Sequence, residues 1–129
     1  MKLEQQVANL ELSRKLKSLG VKQESAFVWA KNAIIVEPEP WNLIHKDCIK
    51  RWDFDADIRD GNAFAAFTCS ELGRMIPQKW HSRQVDGPDE WMMSDDDELV
   101  RDTHARTEAD CRAKMLIYLI EQGIVEVGR

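Results

Sequence analysis

The segment from Thr107 to Gln122 most limits what this chain can fold into. Thr107 is a helix N-cap residue, Glu108 and Asp110 fall in the first turn, and Gly123 supplies the stop. Between those signals, Ala109, Ala113, Leu116, Tyr118, Leu119 and Ile120 leave little polar circumference. A helix of that kind cannot lie on a surface, so the rest of the chain must wrap it. With 129 residues, 43% apolar and 32% charged, and only 6 Gly and 4 Pro, there is enough chain for one globular domain spanning 1–129.

A second helix is predicted from Leu3 to Leu19. Leu3, Val7, Leu10, Leu12, Leu16 and Leu19 recur mostly at three- and four-residue steps, and Gly20 follows as a closing residue. Glu11 and Lys15 have the spacing of a surface ion pair. Then come two short runs, Ala26–Ala30 and Ala33–Val36, parted by Lys31-Asn32. Their β-branched and aromatic content predicts a hairpin that ends at Glu37-Pro38-Glu39-Pro40.

Trp52 to Ile58 alternates strictly, with Trp52, Phe54, Ala56 and Ile58 on one side and Asp53, Asp55 and Asp57 on the other. Period two with one apolar side predicts a half-buried strand with a wet acidic face. Asp60-Gly61 reads as a turn and Ala63–Phe67 as the returning strand. Thr68-Cys-Ser-Glu71 is a capping box flanked by Phe67 and Leu72 at staple positions, opening a short helix from Cys69 to Met75. Residues 78–106 carry no clear period, although one or two strands are expected near the tryptophans. Ile124–Val127 has the composition of a brief closing strand. The expected fold class is α+β: an antiparallel sheet of about three to five strands packed against the N- and C-terminal helices, with one short extra helix.

No motif in the chain carries chemistry on its own. Asp53-x-Asp55-x-Asp57 starts like a calcium loop, but the required Gly and Glu positions hold Ile58 and Phe64. His45-x-x-Cys48 has the spacing of half a zinc site, and the remaining candidates, Cys69, His81, His104 and Cys111, are dispersed. Cys69 and Cys111 each stand near a helix start, where a thiol can become acidic. Neither has a nucleophile signature around it, and no phosphate-cradling glycine loop is present. No catalytic residue, metal ligand or cofactor is therefore assigned. Three cysteines without pairing rhythm fit reduced thiols in the cytoplasm. The opening Met1-Lys-Leu-Glu-Gln-Gln breaks any secretory core, and the longest apolar run, Met115–Ile120, is far below the ~20 residues of a membrane span.

Charge and tryptophan point to binding. The formal net charge is −5, which disfavours direct nucleic-acid binding through a broad cationic face. Residues 1–36 carry six Lys/Arg against three Asp/Glu, so the acid excess lies in the remainder. Between Asp86 and Glu98 stand Asp86, Asp89, Glu90, Asp95, Asp96, Asp97 and Glu98 with no base among them. Trp29 and Trp52, on predicted strands, are expected in the core, whereas Trp41, Trp80 and Trp91 lie in irregular sequence. The candidate interaction surface is Trp80, Trp91, Asp95, Asp96, Asp97 and Glu98, offered to another protein.

Three blocks carry a resemblance: Leu3-Glu-Gln-Gln-Val7 running through Leu16-Lys-Ser-Leu-Gly-Val-Lys-Gln-Glu-Ser25 to Trp29, Ala66-Phe-Thr-Cys-Ser-Glu-Leu-Gly-Arg-Met-Ile-Pro77, and Thr107-Glu-Ala-Asp-Cys-Arg-Ala-Lys-Met-Leu-Ile-Tyr-Leu-Ile120. Together they resemble a group of short uncharacterised proteins carried by tailed phages and prophages of bacteria. The resemblance implies a phage or bacterial cytoplasmic setting and nothing more chemical. The expected function is non-enzymatic binding of a host or phage protein. Two alternatives stand beside it: an acidic inhibitor of a host nucleic-acid-binding or defence protein, and a small enzyme or ligand binder with a site at His45, His81 or His104.

Overall fold

Asn9 opens the first helix. In the computed structural model, which describes residues 2–31, 41–45, 58–77, 80–84, 90–95 and 103–127, Asn9 is extended and its side chain accepts the Leu12 N–H at 2.8 Å. Helix α1 therefore spans Leu10–Ser18, preceded by a separate 3-10 turn at Leu3–Gln5. The single helix expected from Leu3 to Leu19 is broken because the chain between the two pieces bonds elsewhere. Val7 bridges Thr68, the Ala8 N–H donates to the Phe67 carbonyl at 2.9 Å, and the Cys69 N–H donates to the Gln6 carbonyl at 3.2 Å. Lys15 pairs with Glu121 at 3.6 Å rather than with Glu11, a half-exposed contact worth little.

Gly20 (φ 92°) ends α1 as expected. The Val21 N–H reaches the Leu16 carbonyl and the Gly20 N–H the Lys17 carbonyl, the two bonds of a Schellman closure. The C-terminal helix α3, Glu108–Glu121, closes in the same way at Gly123 (φ 74°). There Ile124 and Val125 both donate to the Leu119 carbonyl, at 2.9 and 3.2 Å. Those amides are spent on ending the helix, so Ile124–Val127 forms no strand, contrary to its composition, and Ile124 is 48% exposed.

Helix α2, Cys69–Met75, follows the capping box read from the sequence. The Thr68 Oγ1 accepts the Glu71 N–H at 3.2 Å and the Glu71 carboxylate accepts the Thr68 N–H at 2.8 Å. Phe67 and Leu72, at the staple positions, are both buried. The same carboxylate accepts the Ser25 hydroxyl at 2.6 Å and the Ala26 N–H at 3.2 Å, so the cap also fixes the entry to the first strand.

Strand β1, Phe27–Lys31, lies between β2, Trp41–His45, and β3, Ala63–Ala65, both antiparallel to it. Lys31 stands opposite Trp41, and both sides of β1 are occupied. A turn at Lys31-Asn32 is thereby excluded, and the partner of β1 is Trp41–His45, a stretch with no legible period. Residues 33–36 and 52–57 lie outside the described residues. Ile58 is helical together with Arg59, not extended, and Gly61 (φ 81°) makes the expected turn after it.

Residues 80–105 supply three strands: β4, Trp80–Gln84; β5, Trp91–Asp95; and β6, Thr103–Ala105. They form a second antiparallel sheet in the order β4-β5-β6. The fold is α+β, with two sheets of three strands where one sheet was expected. The division follows from α3, which packs against α1, α2 and every strand of the second sheet. Its residues Ala109, Cys111, Ala113, Met115, Leu116, Ile117 and Leu119 are buried, so the central placement demanded by its sequence is met. The first sheet rests on α1 instead. The Trp29 indole donates to the Ala8 carbonyl at 2.9 Å, and the Arg14 guanidinium sits 5.1 Å from the Trp41 ring and 5.6 Å from that of Phe64. Contacts of this kind contribute about 0.5–1 kcal/mol each at exposed positions. Trp52 lies outside the described residues, and Trp29 is half-buried.

Candidate functional site

Of the residues nominated for an interaction surface, the structure describes Trp80, Trp91 and Asp95, all on the second sheet. Trp80 opens β4 with its side chain 5% exposed, in the main core among the groups that surround α3. Trp91, at the start of β5, is half-buried and packs on the same core. The strand register sets Trp80 opposite Asp95 and Trp91 opposite Gln84. Trp91 and Asp95 are thus at opposite ends of β5, about 13 Å apart at the usual rise of a strand. Asp96, Asp97 and Glu98 lie outside the described residues. In chain order they continue directly from Asp95, the last residue of the sheet's middle strand, towards β6.

The histidines occupy different places as well. His45 ends β2 in the first sheet, where its ring meets Phe27 edge-on with centroids 5.0 Å apart. His81 and His104 lie on β4 and β6, with β5 between them. His104 Nδ1 is 3.9 Å from a carboxylate oxygen of Glu90, and both side chains are about half exposed. Among the described residues no three His, Cys, Asp or Glu side chains converge as metal ligands. Cys48 and Asp53, Asp55 and Asp57 fall outside those residues.

Neither described cysteine is placed as a nucleophile. Cys111 is fully buried in α3. Cys69, although at the start of α2, is the reverse of an activated thiol. Burial first, and then its hydrogen bond to Glu108, push the thiol up to about 12, against the opposing pull of the Arg112 guanidinium. The acidic thiol that a helix start can give is absent because burial and Glu108 outweigh the pull of Arg112.

Around Cys69 is a polar cluster that joins α2, α3 and β4. Arg112 is its hub: Nη1 donates to the Cys69 carbonyl at 2.8 Å, Nη2 to Glu108 at 3.2 Å, and Nε and Nη2 to Ser82 Oγ at 3.3 and 3.2 Å. The Ser82 hydroxyl donates in turn to Glu108. Gly73 makes room for the guanidinium, since a Cβ there would lie 2.4 Å from Nη1. With its proton on Glu108 and two donors from Arg112, Ser82 Oγ has no lone pair left for an incoming substrate. The cluster therefore works as a clamp between elements.

A groove runs along the far end of α3. Its trough, ≈ 280 Å³, is walled by Val21 after α1, Met75 at the end of α2, Leu116 and Ile120 of α3, and Val125 and Val127 of the following tail. A second hollow of ≈ 300 Å³ adjoins it, sharing Lys22 and Met75 and reaching Arg74 and Glu71. Burial alone would push the Glu71 carboxyl up. Hydrogen bonds from the Ser25 hydroxyl, the Thr68 and Ala26 N–H groups and the Thr68 hydroxyl outweigh it and hold that carboxyl below its ordinary range.

The chain matches no known protein family, no curated protein and no solved structure.

Sequence reasoning missed both the Arg112 cluster and the groove. The cluster joins positions 26 to 43 residues apart. Its local traces are the four-residue spacing of Glu108 and Arg112 on α3 and Gly73 inside a short helix, where glycine has a cost and needs a reason. The groove left no trace, because Val21, Leu116 and Val127 read only as core residues of separate elements.

Proposed function

We propose that this chain is a small non-enzymatic protein that acts by binding another protein, in the cytoplasm of a bacterium that carries a phage or prophage. The phage setting rests on the three resembling sequence blocks alone. The binding reading is supported by one observation above others. The middle strand of the second sheet ends at Asp95 and leads straight into Asp96-Asp97-Glu98, within a stretch from Asp86 to Glu98 that has no base. A concentrated acidic run attached to a rigid strand suits a partner with a basic face, with association that is fast and weakened by salt. Trp80 belongs to the core and drops out of the surface, which leaves Trp91 and the acidic run. Among the described residues no helix is long and apolar enough to cross a membrane.

The test uses the full chain as bait in bacterial lysate, beside a triple variant carrying Asp95→Asn, Asp96→Asn and Asp97→Asn. The expected result is one protein retained by the parent, released by moderate salt and lost in the variant, whose melting temperature stays unchanged. Equal retention by both baits, or no protein above the bead control, overturns the reading. If the retained protein binds DNA and DNA competes for it, the chain acts as an acidic inhibitor.

A further inference from the structure

The groove at the end of α3 has two chemically different compartments in series. The trough presents aliphatic side chains from α2, α3 and the tail. The tail forms one wall of it. The Val125 N–H makes its last backbone bond among the described residues, and Val127 is placed by packing, with Cγ2 3.5 Å from where a Gly20 Cβ would be. The adjoining hollow is polar. Its carboxylates are largely spoken for: Glu71 accepts from Ser25, Thr68 and Ala26, and Glu24 pairs with Lys22 at 3.1 Å. Glu126 stands exposed on the outer lip of the trough. Arg74 differs from all of these. Its Nε donates to the Ser70 carbonyl at 3.4 Å, and among the described residues no carboxylate lies within ion-pair reach of its terminal nitrogens. An apolar trough that adjoins a guanidinium with no carboxylate partner among the described residues is the complement of an aliphatic chain that ends in an anion.

We infer that this groove binds a medium-chain aliphatic carboxylate, with its tail between Leu116, Ile120 and Val127 and its head group on Arg74. At roughly 30 Å³ per non-hydrogen group, about the share of a water molecule in the liquid, the trough takes on the order of nine methylenes. Decanoate is the matching probe. This inference does not depend on the protein-binding reading, since the acidic run and the groove lie on different elements.

The experiment is calorimetric titration of the full chain with decanoate and with 1-decanol, both below their aggregation limits. Methyl NMR of Leu116, Ile120 and Val127 runs in parallel. Decanoate is expected to bind at one site, to shift those methyls, and to bind about tenfold more tightly than decanol, the usual scale for a hydrogen bond to a charged group. Arg74→Gln should bring decanoate to the level of decanol. Ile120→Trp should remove binding of both by filling the trough. Absence of heat and of methyl shifts up to millimolar probe overturns the inference, as do shifts confined to other methyls. Equal affinity for the two probes, or an Arg74→Gln variant that binds decanoate like the parent, overturns the anionic head group.

Discussion

Replacing Gly73 by alanine sets two effects of opposite sign against each other, and the structure says which one wins. Gly73 lies inside α2, and its backbone is not in the left-handed region, so alanine alone should stabilise the helix by about 0.8–1 kcal/mol. Its Cβ, however, would stand 2.4 Å from Arg112 Nη1 and 3.4 Å from Cζ. That guanidinium is pinned by Cys69, Ser82 and Glu108, and only 25% of the side chain is exposed. Displacing it breaks charge-assisted hydrogen bonds worth about 1.5–3 kcal/mol, part of which water restores. The net expectation for Gly73→Ala is a loss of about 1–2 kcal/mol, or roughly 3–6 °C in Tm for a chain of this length. In an Arg112→Ala background the obstacle is gone, and the same substitution should instead stabilise by about 1 kcal/mol. Urea denaturation of the four proteins, followed by circular dichroism, closes the cycle. If Gly73→Ala stabilises both backgrounds alike, Arg112 swings aside at no cost and the clamp reading is wrong.

The two shifted carboxylates should act on stability with opposite signs. Glu71 is held below its ordinary range, so its contribution is present above that range and is lost as pH falls through its lowered folded value; Glu71→Gln should flatten the fall of the urea midpoint on acidification below the ordinary carboxylate range. Asp110 is raised, chiefly by burial and against the bonds from Asn9 and Thr107, so its ionised form costs stability at neutral pH and that cost fades as it takes up a proton. The difference between Asp110→Asn and the parent should therefore shift in favour of the parent on acidification, read from the same midpoints. With its thiol at about 12, Cys69 should resist a disulfide reagent at pH 8 until the protein is unfolded, as should the buried Cys111; peptide mapping that finds native Cys69 modified refutes the placement. Asn9→Ala removes the cap on Leu12 N–H and the 3.3 Å bond to Asp110, and should cost about 1–2 kcal/mol by urea denaturation.

The elements legible in the sequence were those whose hydrogen bonds close locally. The capping box at Thr68–Glu71, the cap at Thr107 and the closures at Gly20 and Gly123 each satisfy their groups within a few residues, so spacing alone located them. The failures share the opposite property. The stripe Leu3-Val7-Leu10 has helical spacing, yet Val7 is buried through a bridge to Thr68, and the side chain of Asn9 offered a competing start. The run Ile124–Val127 has strand composition, but its first amides had already been claimed by Leu119. The supposed turn at Lys31-Asn32 lost to a pairing with Trp41–His45, a segment that is partly exposed throughout and so shows no alternation to read.

The same division governs the candidate sites. A half-buried ionisable group must be satisfied wherever it falls, and in this chain each draws a partner from distant sequence beside its local one: Glu71 from Ser25, Asp110 from Asn9, Arg112 from Cys69 and Ser82. Each of these could be nominated as reactive by residue type, and each is instead fixed in place as a tie between elements. The tie also sets its protonation, as with Cys69, whose burial beside Glu108 removes the acidity that its helix position would confer. Charge left over from such ties is what remains for recognition, and two instances bear on the proposed partners. One is the run Asp95–Glu98 leaving β5, within a stretch from Asp86 to Glu98 that holds seven carboxylates and no base. The other is Arg74, which no described carboxylate answers. The two are opposite in sign and rest on different elements, so a basic protein at the first and an aliphatic anion at the second would not compete for the same charge.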